Sequence, residues 1–179
     1  MLKSILPTLC LLLATRVFAS APLQSVDHID INKYMGKWYE IARYENSFQK
    51  KCGGTTADYK LIGKSVQVIN TCEKLNTNGE LQVAHGTAFV TDTKTNSKLK
   101  VSFVPFLQRW GWFAGKYWIL EIGKNYEYAV VGEPKREFLW ILSRTKRLPQ
   151  ETYNMLLERI KNVHHFDLDK IKMSKVFGE

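Results

Sequence analysis

The sequence predicts an all-β fold: eight short antiparallel strands in an up-and-down meander, with one amphipathic helix packed outside near the C-terminus. Three observations carry this. Eight alternating or apolar runs, at 37–44, 55–62, 65–72, 81–91, 97–104, 116–122, 127–132 and 138–145, are separated by turn signals such as Gly63-Lys64, Asn76-Thr77-Asn78-Gly79, Gly123-Lys124-Asn125 and Glu133-Pro134. The hydrophobic period then changes from two to about 3.6 over 149–163, where Tyr153, Leu156, Leu157 and Ile160 share one face. With 179 residues, 45% of them hydrophobic and 24% charged, the chain suits one soluble domain with a sizeable core. Eight strands is also the number that closes into a barrel able to hold one small ligand, although a sandwich stays open on strand count alone.

The chain begins with MLKSILPTLCLLLATRVFA, residues 1–19, which read as a signal peptide. Lys3 gives the positive start, an apolar run follows, and Val17 and Ala19 are small residues placed for cleavage before Ser20. The apolar run is too short to anchor across a bilayer. Cys10 follows the bulky Leu9 inside that run, whereas a lipidated cysteine follows small residues, so no lipid anchor is expected. Residues 20–179 then form a single exported domain. Its formal charge falls from +9 to +7 once Lys3 and Arg16 leave with the leader. The cations are scattered among acids, which reads as a solvated basic surface with some preference for anionic lipid or a carboxylate ligand. An exported chain with no recognition motif is not expected to bind nucleic acid.

The first strand lies in YMGKWYEIARYENSF, residues 34–48. Alternation puts Trp38, Glu40, Ala42 and Tyr44 on one side and Tyr39, Ile41 and Arg43 on the other, without saying which side is inside. The helix that follows the meander starts well: Pro149 suits a first turn and Glu151 the positive end of the helix dipole. A last short strand at 169–175 adds to an edge.

Gly36-Lys37-Trp38-Tyr39 matches the Gly-x-Trp signature that opens the first strand of lipocalins. KYWILEIGKNYEYAVVGE, residues 116–133, and FLWILSRT, residues 138–145, resemble the second and third lipocalin segments, in family order and spacing. LPQETYNML resembles the family's C-terminal helix. The resemblance covers about residues 28 to 176 and is closest to the subgroup of apolipoprotein D and the bacterial outer-membrane lipocalins. It implies an eight-stranded lipocalin barrel whose closed end is plugged by Trp38, with Arg144 lying across the indole; Gly36, Trp38 and Arg144 are then structural. A guanidinium over an indole contributes roughly 0.5–2 kcal/mol.

If Arg144 points inward, Leu142 and Trp140 share its face, and Trp140 lies up the strand in the cavity. The resemblance places Tyr59, Asn70 and Tyr117 in the same cavity. Phe103 shares a face with Val101 and Leu99, which is assigned inward. Aromatic walls with one amide and two phenols suit an amphiphile with a hydrocarbon body and a polar end. Gly86 and Ala88 also share a face, either leaving room for a ligand or permitting close packing.

Two cysteines remain in the exported domain, Cys52 and Cys72, and an oxidising compartment favours their pairing. With Ala57, Tyr59, Val68 and Asn70 inward, the hairpin must turn at Ile62-Gly63 or Gly63-Lys64. Cys52 and Cys72 then fall nearly opposite but one residue out. A disulfide is expected, with a bulge near Gly53-Gly54 absorbing the slip.

PFLQRWGWFAG, residues 105–115, is the most apolar connection; Trp110, Trp112 and Phe113 make it a candidate lid, membrane-contact loop or dimer contact. Catalytic signals are missing: no G-x-S-x-G elbow, no free-thiol Cys–His pair and no metal-spaced histidines, since His164 and His165 are adjacent. Glu40 and Glu121 are candidate inward carboxylates, better suited to hydrogen bonding within the barrel than to acid–base work. The expectation is a carrier rather than an enzyme, without metal or cofactor, holding a fatty acid, lysophospholipid or similar small hydrophobic ligand. By resemblance its role is membrane lipid homeostasis, in the periplasm or a secreted fluid, or peripherally at the outer membrane, as a monomer or weak dimer. The alternatives are a lipid-modifying enzyme on the same scaffold and a membrane-associated interaction protein.

Overall fold

The computed structural model describes residues 21–104 and 114–179. The expected leader with Cys10, and the loop residues Trp110, Trp112 and Phe113, lie outside the described residues. A one-turn helix α1 (Ile31–Tyr34) precedes strands β1 (Gly36–Tyr44), β2 (Cys52–Ile62), β3 (Ser65–Lys74), β4 (Leu81–Val90), β5 (Lys98–Ser102), β6 (Gly115–Ile122), β7 (Tyr128–Gly132) and β8 (Leu139–Ser143). Helix α2 (Gln150–Asn162), a 3-10 turn (Leu168–Lys170) and strand β9 (Ile171–Met173) follow. Each of β1 to β8 pairs antiparallel with its sequence neighbours, β8 pairs with β1, and the eight therefore close into a barrel; β9 is added outside the closure, on β1.

The β2–β3 hairpin shows how sequence sets register. Ile62 opposes Ser65, so the turn is Gly63-Lys64, and Gly63 holds the positive φ of 58° that this two-residue connection needs. That register puts Ala57 opposite Asn70 and Tyr59 opposite Val68. It slips between Cys52 and Thr55, where Gly53 and Gly54 together oppose Glu73. Cys52 and Cys72 are disulfide-bonded across this bulge, with Cα atoms 5.4 Å apart.

Alternation divides the apolar residues into two cores. Inside the barrel, Trp38, Val66, Val68, Ala88, Leu99, Ile119, Val131 and Leu142 pack with Ile29 and Tyr34 from the lead-in. Outside, Leu120, Val130, Leu139 and Ile141 pack with Leu156, Ile160 and Phe166 from α2 and the segment after it. Leu156 and Ile160 are fully buried, and each contributes about 1.5–3 kcal/mol by leaving water. A polar clamp supplements this contact. Glu121 Oε1 lies 2.8 Å from an Arg159 guanidinium nitrogen and 2.6 Å from His164 Nε2. Burial pushes the Glu121 carboxyl up, but the hydrogen bonds from His164 and Arg159, with their charges, outweigh it and hold the pKa below the usual range.

Two bulges correct the expected facing. The β1–β8 register shifts between Glu40 and Ala42, so alternation reverses partway along β1. Trp38 and Glu40 remain inside, but Ala42 and Tyr44 join the outer core, and Arg43, opposite the inward Trp140, takes the inner face instead. The β6–β7 register shifts between Ile119 and Glu121. Glu121 is therefore an outer residue under α2 and not an inward carboxylate.

Candidate functional site

The closed end is built from three segments around one indole. Gly36 opens β1 at φ 90°, a conformation that L side chains avoid, and thereby aims the chain from α1 into the wall. Two residues on, Trp38 is fully buried, and its Nε1 donates to the Tyr34 carbonyl at 2.9 Å. The Arg144 guanidinium lies 3.7 Å from the Trp38 ring centroid. Its nitrogens donate to the carbonyls of Lys37 (2.8 Å), Lys33 (2.7 Å) and Tyr126 (3.3 Å). The fork thus ties α1, β1 and the β6–β7 turn across the barrel base.

Above this floor lies a layer of phenols. The Tyr34 and Tyr117 hydroxyls are 2.6 Å apart, and the Tyr59 hydroxyl is 3.2 Å from that of Tyr117. Tyr34 stacks on Tyr59 at 5.8 Å, while Tyr59 meets Tyr117 edge-on at 6.3 Å. Burial holds all three phenols neutral, raising Tyr34 and Tyr117 well above their ordinary range and Tyr59 to about 12. Three hydroxyls joined by two contacts leave at least one proton unused within the group.

Higher on the inner wall, Asn70 shares the face of Val66 and Val68 and is flanked across strands by Ala57 and Ala84. Its Oδ1 is buried and has no hydrogen-bond partner, although a buried amide oxygen left unpaired costs about 1–3 kcal/mol. Phe103 lies just beyond β5 at the mouth, 43% exposed. A Cβ on Gly86 would come within 2.9 Å of the Phe103 ring. The space left by Gly86 is therefore taken by that ring, which decides between the two readings of the small residue.

The far side of the mouth is aromatic and polar together. Trp140 stacks on Phe138 at 6.0 Å, and Phe48 approaches both rings while remaining 61% exposed. Trp140 Nε1 donates to Gln49 Oε1 at 3.0 Å, and Gln49 Nε2 donates to Glu40 Oε2 at 2.8 Å. Glu40 Oε1 takes an ion pair from Arg43 and a hydrogen bond from Ser174 Oγ, while Arg43 also donates to the Cys52 carbonyl at 2.9 Å. This network fills the seam where β1 has left β2 and taken up β9. It is nearly dry: Glu40 is 7% and Arg43 9% exposed. Removing one partner would strand a buried charge.

Among the anticipated residues, Gly36, Trp38 and Arg144 meet at the floor, Tyr59 and Tyr117 form the layer above, and Asn70, Trp140 and Phe103 stand toward the mouth. Tyr34, Arg43 and Gln49 were not anticipated as site residues. Tyr34 lies only four residues before Trp38, yet a single helical turn has too few residues to show a period. Among the described residues no group of three His, Cys, Asp or Glu side chains could hold a metal ion.

The profile of the Lipocalin-like domain matches residues 29–175. The chain is 37% identical over 153 residues to temperature-induced lipocalin-1 of Arabidopsis thaliana, covering 83% of this chain and 80% of that protein. It is 34% identical over 146 residues to the outer membrane lipoprotein Blc of Escherichia coli K12, covering 81% and 78%. In fold it is similar to insecticyanin from the tobacco hornworm Manduca sexta, with a TM-score of 0.65 and 21% identity over 86% of this chain and 84% of that one.

Proposed function

Because the chain belongs to the lipocalin family, whose barrels hold small hydrophobic ligands, we propose that it binds and stores or carries a fatty acid, lysophospholipid or similar amphiphile. The observation that carries this reading is the orphaned Asn70 oxygen, buried on the inner wall above three neutral phenols. A ligand whose polar end carries an O–H or N–H at this depth, such as the protonated carboxyl of a fatty acid or the glycerol hydroxyl of a lysophospholipid, donates to that oxygen. Its hydrocarbon lies along Trp140, Phe138 and Phe103 toward the mouth. The role follows from the same chemistry: an exported barrel that takes single-chain lipids from a membrane and returns them serves membrane lipid homeostasis. Similarity to an outer membrane lipoprotein supports a place in the periplasm or a secreted fluid. The bulky Leu9 before Cys10 supports a peripheral rather than a lipid-anchored association with membrane.

Trp140→Ala tests the reading. Removing the indole takes away its burial against the ligand and its bond to Gln49, so affinity for a fluorescent fatty acid falls roughly tenfold or more. The barrel stays folded by circular dichroism, because Trp140 lies at the mouth and is only partly buried. Unchanged affinity removes Trp140 from the site. Native mass spectrometry of protein purified from its own compartment separates the classes: a lipid released unchanged supports a carrier, and turnover of that lipid replaces the proposal with an enzyme.

A further inference from the structure

The antiparallel registers line up one row of side chains across five strands. Ile62 opposes Ser65, Ser65 opposes Phe89, Phe89 opposes Lys100, and Lys100 opposes Lys116. Cross-strand partners share a face, and the row is outside because Ala88, the neighbour of Phe89, is buried in the interior core. Ile62 is 51% exposed and Phe89 39%, while Lys100 and Lys116 are both exposed. Lys60 and Lys98 stand two residues from the row on the same face, and the Lys98 ammonium sits 4.7 Å from the Trp118 ring centroid. The tip of the β2–β3 hairpin adds exposed Lys64.

Two features of this face ask for an external partner. Lys100 directly opposite Lys116 is a like-charge pair, which destabilises a sheet unless an anion offsets it. Among the described residues, none of Lys60, Lys64, Lys98, Lys100 and Lys116 is in an ion pair with an acid. Between the cations stand exposed hydrocarbon side chains that a purely polar partner would leave wet. Barrel strands tilt by roughly 35–45°, so the row climbs as it crosses them. It starts with Ile62 beside the floor and ends with Lys116 near the start of β6, at the mouth.

We infer that this outer face is a docking surface for an anionic lipid bilayer. The lysines meet headgroup phosphates, Ile62 and Phe89 enter the headgroup boundary, and the barrel lies on its side with its mouth edge at the membrane. This inference stands apart from the ligand reading, since a barrel with an empty interior would dock equally well.

Co-flotation with vesicles tests it, comparing phosphatidylcholine alone with phosphatidylcholine mixed with phosphatidylglycerol. The wild-type chain floats with the anionic vesicles and not with the neutral ones, and added salt weakens the association. Lys100→Gln with Lys116→Gln binds about 25-fold less tightly, from the effect of two lysines near a charged surface. Ile62→Ser also weakens binding; neither variant lowers the melting temperature or changes fatty-acid affinity, and relief of the like-charge pair raises the melting temperature of the double variant slightly. The inference is overturned if the double variant floats as well as wild type, or if neutral vesicles bind equally. It is also overturned if a soluble sulfated oligosaccharide displaces the vesicles while Ile62→Ser has no effect, which would identify a polyanion as the partner.

Discussion

Replacing Arg144 by alanine tests the barrel floor most directly. The guanidinium makes one stacking contact, 3.7 Å from the Trp38 centroid, and three hydrogen bonds to carbonyls of separate segments. Arg144 is only partly buried, so water can reach the carbonyls once it is gone. The stacking is then worth about 1 kcal/mol, and the three bonds about 2 kcal/mol together, because solvent access reduces each to the range of an ordinary neutral bond. A loss of about 3 kcal/mol lowers the melting temperature by roughly 6–12 °C in a domain of this size. Urea unfolding followed by tryptophan fluorescence gives the free energy, and the slope should be unchanged if only the native state is affected. Arg144→Lys keeps the charge but not the planar fork, and recovers less than half of the loss. A double-mutant cycle with Trp38→Leu, which removes the aromatic face, isolates the ring–cation contribution at about 1 kcal/mol. If Arg144→Ala unfolds within 0.5 kcal/mol of wild type, a deviation within the usual scatter of surface substitutions, or if Arg144→Lys is indistinguishable from wild type, the floor is not held by this fork.

Reducing the Cys52–Cys72 bridge, which spans 20 residues, costs about 3 kcal/mol by chain entropy and is read as a lower urea midpoint in dithiothreitol. Gly54→Ala places a Cβ 2.7 Å from the Phe177 Cα, and the clash costs about 1–3 kcal/mol in a thermal melt while leaving the disulfide intact. The buried phenols give a pH signature. Tyr59 titrates near 12 when folded against 10.0 in the open chain, so the unfolded state loses its proton first. Stability is unaffected below about pH 10 and falls between about pH 10 and 12. Phenolate absorbance should show Tyr59 ionising only toward the top of that range or on unfolding, and ionisation of all eight tyrosines near pH 10 in folded protein would contradict the layer.

The strands were legible because each long run alternates and each turn carries Gly, Asn or Pro; once the resemblance set Tyr59 and Asn70 inward, the β2–β3 turn narrowed to two positions and its bulge could be placed. The inner face of β8 followed once Arg144 was fixed by resemblance, since parity carries inwardness from Leu142 to Trp140. Parity failed at Arg43 and Glu121 for one reason. A bulge adds a residue without altering local composition, so alternation reads straight through it. Arg43 was therefore assigned outward, although it is half of the ion pair closing the seam. Helix α1 escaped because its four residues give no period. Gln49, the hinge of the network from Glu40 to Trp140, lies in a connection where neither period nor pairing distinguishes one amide from another.

Strand β1 gives one edge to β8 and divides the other between β2 and β9. It is among the earliest parts of the domain to be made, yet its far neighbours are among the last. Ring closure must therefore wait for a search across nearly the whole polypeptide, the kind of long-range search that slows β-rich proteins to milliseconds or longer. Until then the half-formed sheet carries two raw margins, where a second nascent molecule can add itself. Refolding yield should accordingly fall as protein concentration rises, even where the finished barrel is stable.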